Sequence, residues 1–127
     1  MLKIIKALAD QNRLRLLNLL LQQELCVCEL EVLLELSQTN VSRHLAKLRE
    51  AGLIQAYKDA QWVHYKPSAA ILQNTSLSSF LRQGFGEHEP FVSDTQRWQN
   101  YQSNNLNCTI IREDREKVEK IIGVIEK

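Results

Sequence analysis

The sequence predicts a mainly helical fold with one small β-hairpin, on three observations. Four Gly and two Pro in 127 residues force few turns. Apolar residues recur at three- and four-residue spacing through most of the first half. Two β-prone runs, 53–57 and 62–66, flank Lys58-Asp59-Ala60-Gln61.

Each element follows from local signals. A short helix covers residues 2–9, and Asp10 caps a second that carries Leu14, Leu17, Leu20 and Leu21 on one face. A third spans 27–36 with Val27, Leu30, Leu33 and Leu34 inward, and a fourth runs 37–50 until Gly52 caps it. Pro67 stops the second strand of the hairpin. Beyond it the pattern predicts a helix over 69–82, a break at Gly84-Phe85-Gly86, and a capped start at Ser93-Asp94 leading to Trp98 and Tyr101. Residues 102–107 read as a loop. The segment 112–127 reads as an amphipathic helix with Val118, Ile121, Ile122 and Ile125 on one stripe.

With 44% hydrophobic and 24% charged residues, the length suits a single domain, 1–127, burying roughly two thirds of the unfolded chain's surface without disulfide or metal staples. Sixteen Lys+Arg against fifteen Asp+Glu leave a net charge of +1, which excludes nucleic-acid binding by bulk charge. Three cysteines, Cys26, Cys28 and Cys108, are too few for a secreted disulfide framework and predict a reducing cytoplasm. No apolar run approaches the roughly 20 residues of a membrane span and no signal-peptide pattern opens the chain, so a soluble, nucleoid-associated protein without membrane contact is expected. Neither a glycine-rich phosphate loop nor His-Glu-x-x-His occurs, and no nucleophile is paired with a base, so no enzyme is expected.

Helix, tight turn, helix and hairpin, in that order, make a winged helix-turn-helix over residues 1–68, with 69–127 as a helical extension for dimerisation. The helix over 37–50 is the reader. With Val41, Leu45 and Leu48 buried, rotation by about 100° per residue turns Thr39, Arg43, Ala46, Lys47 and Glu50 outward, flanked by Asn40 and Ser42. Gln38, Thr39, Ser42 and Arg43, near the helix start, are the candidates for base or phosphate contact. Lys47 and Arg49 suit phosphates, His44 sits between the buried and exposed sides as a structural or phosphate-contacting residue, and Lys58 is the cation of the wing, with Gln61 or His64 beside it. Trp62 and Tyr65 are expected to pack. Five cations against two acids make residues 37–66 locally basic.

Three blocks carry a resemblance. Ala7-Leu8-Ala9-Asp10-Gln11-Asn12-Arg13-Leu14-Arg15-Leu16-Leu17, Glu24-Leu25-Cys26-Val27-Cys28-Glu29-Leu30, and the run from Ser37-Gln38-Thr39-Asn40-Val41-Ser42-Arg43-His44 to Ala51-Gly52-Leu53-Ile54 closely resemble the ArsR/SmtB family of metal-responsive repressors. The match covers residues 4–67. The resemblance implies a homodimer that binds an inverted-repeat operator in double-stranded DNA and releases it when a toxic metal or metalloid binds. Two-fold pairing would place two reader helices in successive major grooves about 34 Å apart. The apolar stripes of the first and last helices are the expected dimer faces, unless both complete the protomer's core.

Inside a regular helix, Cys26 and Cys28 would point about 200° apart. At a helix start they need not: Cys26 stands where a cap residue would, with Glu29 three positions on, so the sulfurs can converge. The helix dipole there favours thiolate, opposed by Glu24, Glu29 and Glu31. Soft thiolates select As(III), Sb(III), Cd(II), Pb(II) or Zn(II). Arsenic-sensing relatives read Cys-Val-Cys-Asp-Leu-Cys here, and this chain has Glu31 at the third thiol position; three-coordinate As(III) would then need Cys108. The alternative for Cys108 is a small apolar residue in an Ile-rich segment. The resemblance offers neither the N-terminal arm of the cadmium and lead sensors nor the Asp-x-His of the zinc site, and His88 stands alone. The reading is an arsenite- or antimonite-released repressor with no cofactor required for folding; the alternatives are a Cd/Pb/Zn sensor, a redox-responsive or ligand-independent repressor, and a helical dimerisation module without DNA.

Overall fold

A computed structural model describes residues 1–123. Two helices, α1 (Leu2–Leu8) and α2 (Gln11–Gln22), lead to a two-residue strand, β1 (Leu25–Cys26), and then to α3 (Val27–Leu34) and α4 (Gln38–Glu50). The wing is β2 (Ile54–Asp59) and β3 (Trp62–Pro67). Five helices follow: α5 (Ala69–Gln73), α6 (Thr75–Glu87), α7 (Phe91–Ser103), α8 (Cys108–Glu113) and α9 (Arg115–Gly123). No helix among these residues is long and apolar enough to cross a membrane.

The signals read from the sequence set the N-terminal boundaries. Asp10 accepts from the amides of Asn12 and Arg13, closing the start of α2. Ser37 Oγ accepts from the Asn40 amide at 3.2 Å to start α4. At the other end Gly52 takes φ +77, and the amides of Gly52 and Leu53 return to the carbonyls of Arg49 and Leu48. The turn between α3 and α4 uses Glu35 in the left-handed region, φ 56, and the Leu36 amide bonds back to the Glu31 carbonyl.

The core lies around α2. Every residue from Leu16 to Leu21 is buried, so the helix is enclosed rather than one-faced, and the stripe read from the sequence is only part of its contact. Leu30, Leu33, Leu34, Val41, Leu45 and Leu48 close the helix-turn-helix against it. The sheet order is β1-β3-β2, antiparallel throughout, with Ile54 opposite Pro67 and Asp59 opposite Trp62. The third strand, β1, pairs Leu25 with Tyr65 and Cys26 with His64. Two residues are too short to show a period in sequence.

The second half differs from expectation in several places. The helix expected over 69–82 is two helices, because Asn74 accepts from the Leu77 amide and starts α6 anew. Gly84-Phe85-Gly86 lies inside α6 rather than breaking it, since Phe85 is buried with its ring centroid 4.8 Å from that of Phe91. The break comes at His88-Glu89-Pro90. The expected capped start at Ser93-Asp94 lies inside α7, where Asp94 is drawn into an ion pair with Arg15. Val118 and Ile122 of α9 are fully buried within the protomer, so this stripe completes the protomer's own core and is not an open dimer face. Ile125, assigned to the same stripe, lies outside the described residues.

Candidate metal centre and nucleic-acid interface

Cys26 ends β1 in extended backbone, φ −96 and ψ 168, and caps α3. Its amide donates to Glu29 Oε1 at 3.0 Å, the reciprocal contact of a capping box. This bend brings the Cys26 and Cys28 sulfurs to 3.0 Å, as the helix-start argument requires. Cys108, the first residue of α8, completes the group: its Sγ is 2.9 Å from that of Cys28 and is joined to that of Cys26. The Cα atoms of Cys26 and Cys108 are 7.7 Å apart, outside the roughly 4.4–6.8 Å usual for a disulfide. All three sulfurs lie within 4.8 Å of one another.

Cys26 and Cys108 are buried and Cys28 half-buried. A cavity of about 280 Å³ opens beside them, lined by Val27 and Glu31, by Gln38 at the start of α4, and by Trp62 and Val63 of the wing. Burial pushes the Cys28 thiol up to about 11, and the carboxylates of Glu29 and Glu31 act in the same sense. Here the structure corrects the expected balance: burial and two acids outweigh the helix dipole.

Glu29 also joins this corner to α7, because its second oxygen accepts from the hydroxyl of buried Tyr101. Burial and the Glu29 charge raise the Tyr101 pKa, which keeps the phenol a neutral donor. Two more residues of α7 hold the far end of α3. Arg97 reaches Glu35 at 3.1 Å, an interaction that holds the Glu35 carboxyl below its ordinary range. Asp94 receives both Nε and Nη2 of Arg15, at 2.8 and 2.9 Å, and the same Nη2 donates to the Leu34 carbonyl at 3.1 Å. Thus α3, which carries two thiols at its start and abuts α4 at its end, is held at both ends by α7. Arg115 adds a contact to Glu31 at 3.5 Å.

On α4 the residues Gln38, Thr39, Ser42, Arg43, Lys47 and Arg49 are exposed, as is Lys58 on the wing. Asn40 is half-buried, and its Oδ1 accepts from Arg43 Nη2 at 3.1 Å. His44 is the exception. It is 3% exposed and turned toward α2, with Nδ1 3.4 Å from Arg13 Nη1 and 3.9 Å from Asp10 Oδ1, so it packs inside rather than standing among the outward residues. Burial lowers its pKa. On the wing, His64 stacks on Tyr57 at 5.4 Å and Lys66 Nζ sits 5.3 Å from the Tyr57 ring centre. Trp62 and Tyr65 are half-buried, Tyr65 against the core and Trp62 under the Arg112 guanidinium at 5.8 Å. Sequence reasoning missed the Glu29–Tyr101 link and the role of Arg13; neither leaves a local signal, since each depends on a partner from another helix.

The geometry agrees with the comparisons to known proteins. The model of the bacterial regulatory protein, arsR family, matches residues 10–56. The arsenic resistance transcriptional regulator ArsR1 of Pseudomonas putida is 52% identical over 64 residues, covering 50% of each chain. The cadmium resistance transcriptional regulatory protein CadC of Listeria innocua is 36% identical over 89 residues, 69% of this chain and 71% of the relative. Reduced HlyU from Vibrio cholerae superposes with TM-score 0.56 at 40% identity, over 65% of this chain and 81% of that one. The chain spans about half to three fifths of the length of the first curated relatives it matches. Family and relatives are named as transcriptional regulators, not enzymes. With a winged helix-turn-helix on the page and a relative matched over more than two thirds of its length, this chain belongs to the ArsR family of bacterial regulatory proteins.

Proposed function

We propose that the chain is a homodimeric repressor that binds an inverted-repeat operator and releases it when As(III) or Sb(III) binds Cys26, Cys28 and Cys108. The convergence of three thiols from two distant parts of the chain carries this reading. The names of relatives that respond to arsenic support it. The donor set fits a soft metalloid with three ligands. The exchange balances without a redox partner: As(OH)₃ and three thiols give As(SR)₃ and three waters.

DNA contact falls to Gln38, Thr39, Asn40, Ser42, Arg43, Lys47 and Arg49 on α4, with Lys58 on the wing. A metalloid on the thiols sits at the start of α3 and beside a cavity walled by Gln38 and Trp62, so its arrival strains the helix that braces the reader and the residues at the reader's start. A coupling of about 1–3 kcal/mol shifts operator affinity roughly 5- to 150-fold. Met1, Leu2 and Ile5, all exposed on α1, supply apolar surface for a second copy.

A second reading rests on the junction of the Cys26 and Cys108 sulfurs: a two-electron oxidant takes both thiols to a disulfide, with loss of two protons, and this changes operator affinity. One gel shift on the chain's own promoter separates the readings. Release by arsenite or antimonite under reducing conditions supports the first, and release by diamide alone supports the second. Release by cadmium, lead or zinc alone makes the site a divalent-metal sensor, and no binding in any condition removes the repressor.

A further inference from the structure

We infer that Lys3, Lys6 and Lys47 form a cradle for a DNA backbone phosphate at the junction of α1 and α4, extending the interface beyond the helix-turn-helix. The inference rests on the DNA-binding reading above. A cavity of about 300 Å³ lies there, lined by Lys3, Lys6, Ala7, Arg13, Lys47 and Glu50. Four cations meet one carboxylate. Among the described residues the three lysines make no ion pair, so their mutual repulsion is left uncompensated until an anion arrives.

Arg13 is already engaged and acts as a positioning residue. Its Nε donates to the Ala7 carbonyl at 2.7 Å and its Nη2 to the Lys6 carbonyl at 3.3 Å, closing two carbonyls at the end of α1 that the helix cannot satisfy itself. Its Nη1 lies 3.4 Å from His44 Nδ1, in the middle of α4. One guanidinium therefore pins α1 to the reader and holds Lys6 and Lys47 around the same space. Lys3 and Lys6, three apart, share a face of α1. Lys47 stands one turn beyond Arg43 on the outward face of α4, so a duplex lying on that face carries its phosphates to the cavity. A phosphodiester suits the site because compact ammonium groups bind it as point charges, without reading sequence.

The test is a salt series on the full chain bound to its promoter fragment and to an unrelated duplex. Lys3→Gln with Lys6→Gln should flatten the log–log salt dependence by about 1.8 on both duplexes, about 0.9 per lost phosphate contact, and leave their affinity ratio unchanged. Glu50→Gln should tighten both. Lys117→Gln with Lys120→Gln, the same charge change on α9, should leave the slope alone. A slope unaltered in the Lys3/Lys6 variant, or lowered equally by the α9 pair, overturns the cradle and spares the DNA-binding reading. Absence of binding by the unaltered chain overturns both.

Discussion

Two cysteines separated by one residue are useful to a metal only where the helix has not yet begun. Cys26 holds extended backbone and Cys28 helical backbone, and this change of angle turns about 200° of divergence into a 3.0 Å contact. The pair was legible in the sequence because the capping pattern with Glu29 is local. Cys108 was legible only as the remaining thiol; 80 residues separate it from Cys28, and nothing near it announces a partner. Cys108→Ser should leave folding and operator binding intact and weaken arsenite release at least about tenfold, as a two-state switch does when its effector loses some 1.4 kcal/mol of differential binding. Cys26→Ser with Cys28→Ser should abolish release. Gel shifts across an arsenite series measure both.

His44 shows the limit of the helical wheel, which places it at a boundary and cannot know that Asp10 and Arg13 of α2 stand opposite. Burial lowers its pKa, Arg43 and Arg13 add to the shift, and Asp10 opposes it. The unfolded chain therefore binds this proton more readily than the folded one. Its contribution to stability is complete above the ordinary value of 6.5 and is lost as pH falls toward the depressed one. Thermal unfolding between neutral and mildly acid pH should show that loss, and His44→Gln should flatten it.

At the scale of elements, the first half follows its local signals and the second does not. Asp10, Ser37 and Gly52 act within one or two turns of themselves, so the boundaries of α2 and α4 are readable. Gly84 and Gly86 look like a break because glycine disfavours helix, yet burial of Phe85 against Phe91 carries α6 through them. Asp94 looks like a cap because of its type, yet Arg15, 79 residues away, takes both its oxygens. This pair fixes α7 to α2 and to the end of α3, with the Asp94 side chain 3% exposed. Asp94→Ala leaves a guanidinium without its partner and should destabilise the fold by about 3–5 kcal/mol, measured by urea unfolding. Exposed pairs such as Lys120–Glu116 should cost under about 1 kcal/mol when removed.

Across the whole molecule, the near-neutral net charge hides a division of labour. Cations gather on α4 and at its junction with α1, while Glu24, Glu29 and Glu31 surround the thiols. The thiol centre draws on both halves of the chain: β1 and α3 give two sulfurs, and α8, beyond the stretch matched by the family model, gives the third. An effector held there bridges the brace of the reader to the C-terminal helices. The most direct test is X-ray absorption at the arsenic edge on the full chain loaded with arsenite under reducing conditions. Three sulfur neighbours, falling to two in Cys108→Ser, are predicted; two sulfurs and an oxygen in the unaltered chain, unchanged by that substitution, would contradict the account.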